Sequence, residues 1–409
     1  MRKNPALFVI FLIIFIDLLG FGIIIPLLPS FSINVLHINE STIGLVAGIF
    51  SLMQFFFTPI WGGLSDKYGR KPILVMSLIG SVISYLILGF VFSGLILSVA
   101  MLIIARAFAG IFSANISAAQ AVISDVTTPE ERTKGMGLIG AAFALGFVFG
   151  PAIGGILSNN FGHGVPIFVA AGLSFVALIL CLTIFKESHP VEEQLKNRAA
   201  GKKIKSLDLK LIKKTLTSGE LGQLIIISFV IVFAFSNMFG SFQLFAERDE
   251  GLNLNEEQVG YLFSLLGIVG AIVQVFLIKY IKKYFGDGKA LLFGIIASVF
   301  GLGLIPLFEN IYWMVGMLSL LALGNSVSNT VSLSLISQRA DRNEMGTILG
   351  VNQSLSSFAR FCGPVFGGFS YQHFGHRSPF IFGGVFMGMI ALYTYYLLRR
   401  YREIKEQAQ

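Results

Sequence analysis

Two charged residues lie inside long apolar segments of the sequence, where an ionised side chain is costly. Asp17 is about 11 residues into the stretch 6–30, roughly 16 Å deep at the rise of a helix. Arg106 has a similar position in the stretch 96–125. A carboxylate at this depth can bind and release a proton, and a guanidinium there needs a carboxylate or carbonyl partner. The two residues predict a proton-coupling centre with Arg106 paired to Asp17, to another carboxylate or to carbonyls. For Asp17, a hydrogen bond to a helix break is the simpler alternative.

Further polar side chains recur at helical spacing within apolar segments. Behind Arg106, small and polar residues continue to Gln120, and close helix packing explains the small ones equally well. Arg360 directly precedes Gly363-Pro364, where a helix break frees carbonyls, so a structural and a functional role are both open. The candidates for a substrate pathway are Asn115, Gln120, Asn237, Gln243, Glu247, Asn325, Asn329 and Arg360. For the amides, a hydrogen bond between helices is the simpler alternative.

The segments that hold these residues are membrane spans by composition. The chain is 55% hydrophobic and 13% charged, whereas soluble domains have about 25% charged residues. A span needs roughly 20 apolar residues. Twelve stretches qualify: 6–30, 40–64, 72–93, 96–125, 135–158, 165–186, 221–247, 257–281, 289–308, 311–338, 346–370 and 378–398. We predict an all-α membrane protein with no signal peptide, no disulfide between Cys181 and Cys362, and no catalytic residues, metal or cofactor.

The basic residues alternate between the two sides of these spans. Of the 30 Lys and Arg residues, 26 lie in the terminal segments and the loops on the same side, and Arg248 and Arg377 lie in the other loops. Arg106 and Arg360 make up the remainder. This asymmetry is the positive-inside rule, and it predicts that both termini are cytoplasmic. The net charge of +8 therefore reflects topology and does not indicate binding of nucleic acid.

The spans divide into two related halves. GPAIGG at 150–155 recurs as GPVFGG at 363–368, and ESTIGL at 40–45 resembles EEQVGYL at 256–262. We predict an N-terminal bundle at 1–186, a basic linker at 187–220 and a C-terminal bundle at 221–409. Within the linker, 204–216 is either a basic amphipathic helix on the membrane surface or a solvated segment. Duplicated halves are typical of secondary transporters, whose substrates bind near the midplane.

The strongest motif is GGLSDKYGRKP at 62–72, in the predicted inner loop after span two. It resembles motif A of the major facilitator superfamily. The resemblance implies a gating cluster formed by Gly62, Gly63, Asp66, Arg70, Lys71 and Asp125. In this cluster Asp66 caps the start of span eleven and Arg70 pairs with Asp125, which together hold the outward-facing state. The alternative is a turn that only enforces topology.

Two more motifs and the first span resemble the same superfamily. The run 102–114 with Arg106 is similar to motif B, which the family associates with proton coupling. Gly146, Gly150, Pro151, Gly154 and Gly155 are similar to antiporter motif C. The segment DLLGFGIIIPLLP at 17–29 resembles the first helix of the twelve-helix drug:proton antiporters, which include bacterial tetracycline exporters. The second-half copy of motif A, near 279–289, is degenerate, and Ala109 replaces a residue of motif B that is often polar in the family.

This resemblance covers the whole chain and implies a major facilitator fold of two pseudo-symmetric six-helix bundles. It further implies a monomeric antiporter in the bacterial cytoplasmic membrane, in contact with lipid, that exchanges protons for a small amphipathic compound by alternating access. A dedicated transporter of one metabolite or lipid precursor is the first alternative. A receptor or sensor built on a transporter scaffold is the second.

Overall fold

The computed structural model of the protein describes residues 5–199, 208–249, 251–340 and 345–407. Within these ranges the regular structure is helical. The helices are α1 (Pro5–Asn34), α2 (Glu40–Tyr68), α3 (Arg70–Phe92), α4 (Val99–Phe112), α5 (Ile116–Val126), α6 (Pro129–Phe161), α7 (Gly164–Thr183), α8 (Val191–Ala199), α9 (Leu209–Leu216), α10 (Gly219–Asn237), α11 (Phe242–Ala246), α12 (Glu256–Ile272), α13 (Ile278–Gly303), α14 (Ile311–Arg339), α15 (Met345–Phe374) and α16 (Ser378–Gln407).

The predicted spans correspond to these helices. Ten helical segments among the described residues have the length and hydropathy of a membrane span. One of them, Glu256–Leu307, has 52 residues and contains two predicted spans, which are separated at Gly286, where φ is 69°. The predicted eleventh span is α15, which has 30 residues. The prediction of an all-α membrane protein is therefore confirmed.

Two spans that the hydropathy pattern predicts as continuous are interrupted by breaks, and a third, 257–281, passes from α12 to α13 through a π-helical segment, Val273–Leu277. The stretch 96–125 divides into α4 and α5 around Ser113–Asn115, and 221–247 divides into α10 and α11 around a short 3₁₀ turn, Met238–Gly240. Such breaks free main-chain carbonyls, which need other donors inside a membrane. Each break lies beside a residue from the list of pathway candidates, Asn115 or Asn237.

The helices group into two compact units. Unit 1 comprises Met1–Ile38, Val46–Asp208 and Asn255–Ser264. In it α1 packs along α6, and α3 packs along α7. The centre of the unit is α1, where Ile10, Ile13, Ile23 and Leu27 are fully buried. The carboxylate of Asp17 is thus carried by the most enclosed helix of the unit.

Unit 2 comprises Asn39–Leu45, Leu209–Leu254 and Leu265–Gln409. In it α13 packs along α14 and α16, and α10 packs along α15. Glycine allows the close approach of α15 to α10, because a Cβ at Gly363 would lie 2.8 Å from the main-chain nitrogen of Asn237 and from the carbonyl oxygen of Phe233. This contact corresponds in unit 2 to the contact of α6 with α1 in unit 1.

In each unit the first residues of one further helix pack against a Gly-Pro motif: the start of α12 in unit 1 and the start of α2 in unit 2. In unit 1, Gly260 of α12 packs on the carbonyl of Pro151, and the ring of His163 lies 2.8 Å from Glu256 Oε1. In unit 2, Gly44 of α2 packs on the carbonyl of Pro364. The two segments are those whose sequences, ESTIGL and EEQVGYL, resemble each other, so the internal repeat is also a repeat of packing.

Candidate functional site

Asp17 lies in a small polar cluster inside unit 1, which we call the carboxylate cluster (Asp17, Ser77, Ser81 and Asn115). Asp17 is 7% exposed. Its Oδ2 accepts a hydrogen bond from Asn115 Nδ2 at 2.9 Å, and its Oδ1 accepts one from Ser81 Oγ at 3.4 Å. The same amide of Asn115 donates to Ser77 Oγ at 2.6 Å. Among the described residues, no lysine or arginine forms an ion pair with this carboxylate.

The break between α4 and α5 brings Asn115 to Asp17. Three carbonyls at the break accept hydrogen bonds from side chains of α2 and α3. Trp61 Nε1 donates to Ile111 at 2.6 Å, Ser77 Oγ donates to Phe112 at 2.5 Å, and Gln54 Nε2 donates to Ser113 at 3.4 Å. These donors satisfy the backbone that the break exposes. The break is therefore a stable feature that holds the Asn115 amide against Asp17.

Arg106 is also enclosed, at 2% exposed, but its partners are main-chain carbonyls. Its Nη2 donates to Ala47 at 3.2 Å and its Nε to Val46 at 3.5 Å, while the guanidinium stacks on the Phe50 ring at 4.9 Å. Of the partners that the sequence suggests, the structure shows the carbonyls and not Asp17.

The motif C residues Gly146, Gly150, Pro151, Gly154 and Gly155 lie on α6. Gly146, Gly150 and Gly154 face α1, Pro151 contacts both Gly22 of α1 and Gly260 of α12, and Gly155 faces the start of α12 at Glu256. A Cβ at Gly150 would lie 2.8 Å from Gly22 Cα, and one at Gly154 would lie 2.5 Å from the carbonyl oxygen of Ile23. Contacts this short leave no room for a side chain. The motif therefore sets the distance between α6 and the helix that carries Asp17.

Motif A begins inside a helix, and this corrects the prediction that 62–72 is a loop. Gly62 and Gly63 belong to α2, which continues to Tyr68, and α3 starts at Arg70. The whole turn is Gly69, with φ 99° and ψ 161°. Glycine adopts this conformation without strain, whereas other residues almost never do. The tight turn of the motif therefore lies at its third glycine.

Arg70 is the centre of an inner ion-pair cluster (Ser65, Asp66, Arg70 and Asp125). Its Nη1 donates to Asp66 Oδ1 at 2.6 Å and to Ser65 Oγ at 2.7 Å, and its Nε donates to Asp125 Oδ2 at 3.0 Å. The side chain of Arg70 is only 6% exposed. The implied pairing of Arg70 with Asp125 is present. Lys71 lies beside the cluster and donates to the carbonyl of Leu182 at 2.8 Å.

The predicted contact of Asp66 with the start of span eleven lies partly outside the described residues, because 341–344 are not among them. Within unit 1, Asp66 is engaged by Arg70. The capping of span eleven by Asp66 stays a prediction.

Glu187, just after the predicted span six, is a partner of motif A that no sequence pattern indicates. Its Oε1 accepts from Arg70 N at 2.9 Å and its Oε2 from Lys71 N at 3.0 Å, so it caps the N-terminus of α3. The next two residues also contact the inner ion-pair cluster. Ser188 Oγ donates to Asp125 Oδ2 at 3.3 Å, and a ring nitrogen of His189 lies 3.2 Å from the Asp66 carbonyl oxygen. The start of the predicted linker is thus bound to motif A.

Three pathway candidates lie at the break in span seven. Asn237 is fully buried and donates to the Pro379 carbonyl at 2.6 Å, while its Oδ1 has no hydrogen-bond donor within the described part of the chain. Gln243 is buried and donates to the half-buried Glu247. These contacts give the amides a role in holding the break together. A role in transport stays a prediction for all three residues.

The remaining candidates are distributed over other helices. Asn325 and Asn329 are half-buried on α14, where Asn329 Nδ2 donates to Asn325 Oδ1 at 2.8 Å, so the two amides share one face of the helix. Gln120 is exposed on α5. Arg360 is half-buried near the middle of α15 and donates to Ser357 Oγ at 2.8 Å. The helix break expected after it at Gly363-Pro364 is absent, because α15 is continuous from Met345 to Phe374.

The sequence holds a signal for two of the polar residues around Asp17 that were not predicted. Ser77 and Ser81 are four residues apart in span three and therefore share one face of α3. That face meets α1 and the break in span four. No comparable periodicity marks Glu187, which lies in a short segment between two helices.

A bundle of membrane-spanning helices with enclosed polar side chains is the architecture of a secondary transporter. The family model described as Major Facilitator Superfamily matches residues 10–362 and 250–409. The chain therefore belongs to the major facilitator superfamily. It is a transporter and not an enzyme.

Similar proteins from bacteria include two kinds of resistance protein. The chain is 28% identical over 372 residues to tetracycline resistance protein class C of Escherichia coli, covering 89% of each chain. It is 27% identical over 388 residues to multidrug resistance protein 2 of Bacillus subtilis (strain 168), covering 94% of each. Among solved structures, the human organic anion transporter MFSD10 (TETRAN) is similar in fold, with a TM-score of 0.71 at 22% identity over 96% of this chain and 100% of that one.

Proposed function

We propose that the protein is a proton-coupled antiporter that exports small amphipathic compounds by alternating access. The proton enters and leaves at Asp17. Tetracycline-like and other lipophilic drugs are the first compounds to consider, because the similar bacterial proteins are named for resistance to them.

The observation that carries the proposal is the enclosure of Asp17 without a basic partner. Burial favours the protonated form of a carboxyl group, and hydrogen-bond donors favour the ionised form. Asp17 has both influences, being 7% exposed with donors from Asn115 and Ser81. Either protonation state is therefore accessible, which proton exchange requires. A carboxylate paired with Arg106 would instead be held in its ionised form.

The inner ion-pair cluster supports a gating role. A guanidinium that is 6% exposed and shared by two carboxylates is stable as long as all three groups stay together. Asp66 and Asp125 lie on different helices, α2 and α5, so movement of one helix against the other separates the charges. In the proposed cycle the cluster forms in one state and opens in another.

Location and orientation follow the same proposal. The excess of Lys and Arg in alternate loops supports an orientation with both termini in the cytoplasm. The bacterial relatives support the bacterial cytoplasmic membrane. We propose that the protein works there as a monomer in lipid.

The test is proton movement in energised inverted membrane vesicles. Tetracycline, a planar lipophilic cation and a neutral apolar compound are added to vesicles that contain the wild type, Asp17→Asn or Asp249→Asn. Asp249 is an exposed carboxylate in a turn and serves as the matched control. We expect at least one compound to dissipate the pH gradient with the wild type and with Asp249→Asn, and none to do so with Asp17→Asn above vesicles without the protein.

Two other results would overturn parts of the proposal. Equal proton movement with Asp17→Asn and the wild type would leave an antiporter whose proton site is elsewhere. No proton movement with any compound would remove drug export and favour the dedicated transporter of one metabolite.

A further inference from the structure

The second-half copy of motif A, near 279–289, is degenerate in sequence but repeats the turn of the first copy. Gly286 has φ 69° and ψ 164°, and Gly69 has φ 99° and ψ 161°. Both conformations are open to glycine and rarely to other residues. In each unit the next helical segment starts at the following residue, which is Arg70 in unit 1 and Asp287 in unit 2. The residue after the turn is thus basic in one copy and acidic in the other.

Asp287 is the centre of a polar cluster at the inner end of unit 2, which we call the second-half cluster (Lys282, Asp287, Ser334 and Gln338). Lys282 Nζ forms an ion pair with Asp287 Oδ1 at 3.0 Å, and Gln338 Nε2 donates to Asp287 Oδ2 at 2.9 Å. Ser334 Oγ accepts from both donors, at 3.0 Å from Lys282 Nζ and 3.1 Å from Gln338 Nε2. The cluster therefore joins both sides of the turn to the inner end of α14.

The partner from the neighbouring helix occupies an equivalent position in the two units. In unit 1 Arg70 donates to Asp125 of α5 at 3.0 Å. Gln338 of α14 lies 213 residues after Asp125, which is also the spacing between the two Gly-Pro motifs, and it donates to Asp287. The contact thus recurs in both units with the donor and the acceptor exchanged.

The partner from the preceding helix recurs in the same way. Ser65 lies four residues before the turn glycine of unit 1 and accepts from Arg70 at 2.7 Å. Lys282 lies four residues before the turn glycine of unit 2 and donates to Asp287. The copy that is degenerate in sequence therefore keeps the contacts of motif A, with an acidic residue after the turn and its donors on the two neighbouring segments.

The helix dipole gives a physical reason for the exchange of charge. A negative charge is favourable at the N-terminus of a helix, and a positive charge is unfavourable there. The helix after the turn of unit 1 begins with Arg70, and Glu187 supplies the negative charge. The helix after the turn of unit 2 begins with Asp287, which carries that charge itself, and the residue 213 positions after Glu187 is Arg400. Both positions have therefore changed sign together.

Behind the second-half cluster the inner end of unit 2 is open. A cavity of about 290 Å³ lies among α10, α13, α14 and α16, and residues of the cluster line it together with Leu335 and Leu398. In unit 1 the residues at the equivalent positions, 213 earlier, are Val122 and Phe185, and both are buried in the hydrophobic core. Polar contacts hold the inner helix ends of unit 2 at a place where close packing holds those of unit 1. The helix ends of unit 2 therefore have room to move.

The ion pair at the centre of the cluster can open. The side chains of Lys282 and Asp287 are 31% and 25% exposed, so water replaces part of what each gives the other. A pair of this kind changes an equilibrium by about fivefold or less. That is enough to favour one state of a transporter and too little to prevent the other.

We propose that the second-half cluster is a gate latch of inverted charge. It holds the turn of α13 against the inner end of α14 in the state that is closed towards the cytoplasm, and it opens during the transport cycle. Lys282, Asp287 and Gln338 are its gating residues. This inference rests on the proposed function, because a gate presupposes alternating access, but it does not depend on where the proton binds.

The test combines charge reversal with solvent accessibility. The variants are Lys282→Asp, Asp287→Lys and the double variant that exchanges the two charges. Lys283→Asp is the matched control, since Lys283 is an exposed lysine beside the cluster. Each variant also carries Asn329→Cys in a background protein whose two native cysteines are replaced by serine.

Labelling of the cysteine at position 329 reports the opening of the inner end. Helix α14 ends at Arg339, so Asn329 lies ten residues from this end, about 15 Å at the rise of a helix. A membrane-impermeant maleimide is added to inverted vesicles, whose outer surface is the cytoplasmic face of the protein. It reaches position 329 when the inner ends of the helices separate.

We expect Lys282→Asp and Asp287→Lys to be labelled about three- to fivefold faster than the background protein. The double variant restores the pair and should be labelled at the rate of the background protein, as should Lys283→Asp. Unchanged labelling in both single variants would show an ion pair without a role in gating and overturn the inference. Fast labelling of the double variant or of Lys283→Asp would show an effect of net charge and also overturn it.

A second cysteine separates opening from unfolding. Cys181 is buried in the core of unit 1, and the same variants with Cys181 as the sole cysteine should be labelled as slowly as the background protein. Faster labelling of Cys181 would mean that the charge reversals unfold the protein, and it would overturn the inference. The labelling needs no substrate and no proton gradient. If the vesicle test shows no proton movement while labelling follows the cluster, only the proposed coupling is wrong.

Discussion

Replacement of Glu187 by alanine should loosen the start of α3 at motif A. The first amides of a helix have no acceptor within the helix. At α3 two of these amides, those of Arg70 and Lys71, donate to Glu187 at 2.9 and 3.0 Å. The carboxylate also lies at the positive end of the helix dipole, which favours a negative charge. The alanine variant loses both contributions, and Glu187→Gln loses only the charge.

The size of the effect follows from the geometry and the exposure of the carboxylate. Loss of a side-chain cap costs about 0.5–2 kcal/mol. Glu187 is exposed, so water replaces part of what it provides, and we expect about 1 kcal/mol for Glu187→Ala, in the lower half of that range. This corresponds to about a fivefold change in the local opening equilibrium. For Glu187→Gln, which keeps an acceptor oxygen, we expect about half the free energy.

Amide hydrogen exchange measured by mass spectrometry on the protein in nanodiscs reports this opening directly. The peptide that contains Arg70 and Lys71 should exchange about fivefold faster in Glu187→Ala than in the wild type, and peptides from the middle of α3 should not change. The matched control is Glu192→Ala, an exposed carboxylate five residues further along the chain, which should exchange as the wild type does.

Two results would refute this reasoning. Unchanged exchange at Arg70 and Lys71 in Glu187→Ala would mean that the cap does not stabilise the start of α3. The same acceleration in Glu192→Ala would mean that the effect comes from the net charge of the segment and not from the two hydrogen bonds.

Two glycine substitutions test the close contacts of unit 1 by the midpoint of thermal unfolding in detergent. Gly69→Ala should destabilise the protein by about 1–3 kcal/mol, because φ 99° and ψ 161° are open to glycine alone. Gly172→Ala, whose Cβ would meet no atom within 4 Å, is its control, and equal midpoints for the two variants would contradict the turn described here. Gly154→Ala should cost about 1–3 kcal/mol by forcing α6 away from α1. The control is Gly140→Ala on the same helix, which has open space at the Cβ and should unfold like the wild type. If the unfolding midpoint of Gly154→Ala is as high as that of Gly140→Ala, the contact tolerates a methyl group.

The helical architecture and the position of Asp17 near the middle of an apolar helix could be predicted from the sequence. Hydropathy is a property of a local segment, so the predicted spans correspond to helices even where α4 and α5 meet at a break. The break itself was not predicted, because its three free carbonyls are stabilised by Gln54, Trp61 and Ser77, which lie on two other helices. A window along one segment contains no information about donors on its neighbours.

Some partners of the charged residues were expected from the sequence, and others depend on how the helices pack. The pairing of Arg70 with Asp125, 55 residues apart, was expected from the resemblance to motif A, whereas the pairing of Arg70 with Asp66, only four residues away, was not predicted. Arg106 was expected beside a carboxylate or carbonyls, and the choice of carbonyls 59 and 60 residues away depends on how α4 lies against α2. Glu187 reaches Arg70 over a separation of 117 residues, beyond the reach of any local pattern.

By itself the sequence determined that this protein is a helical membrane protein of two related halves, with a carboxylate in the first span and a basic motif after the second. These features follow from composition, from charge asymmetry and from repeated motifs, each of which can be read from local segments of the chain without knowing how they pack. Only the tertiary structure decided that Asn115 and Ser81 hold Asp17, that Arg106 binds carbonyls, and that Arg360 donates to the hydroxyl of Ser357. A hydrogen bond or an ion pair depends on distances of a few tenths of an ångström between helices far apart in sequence, and those distances are fixed by packing.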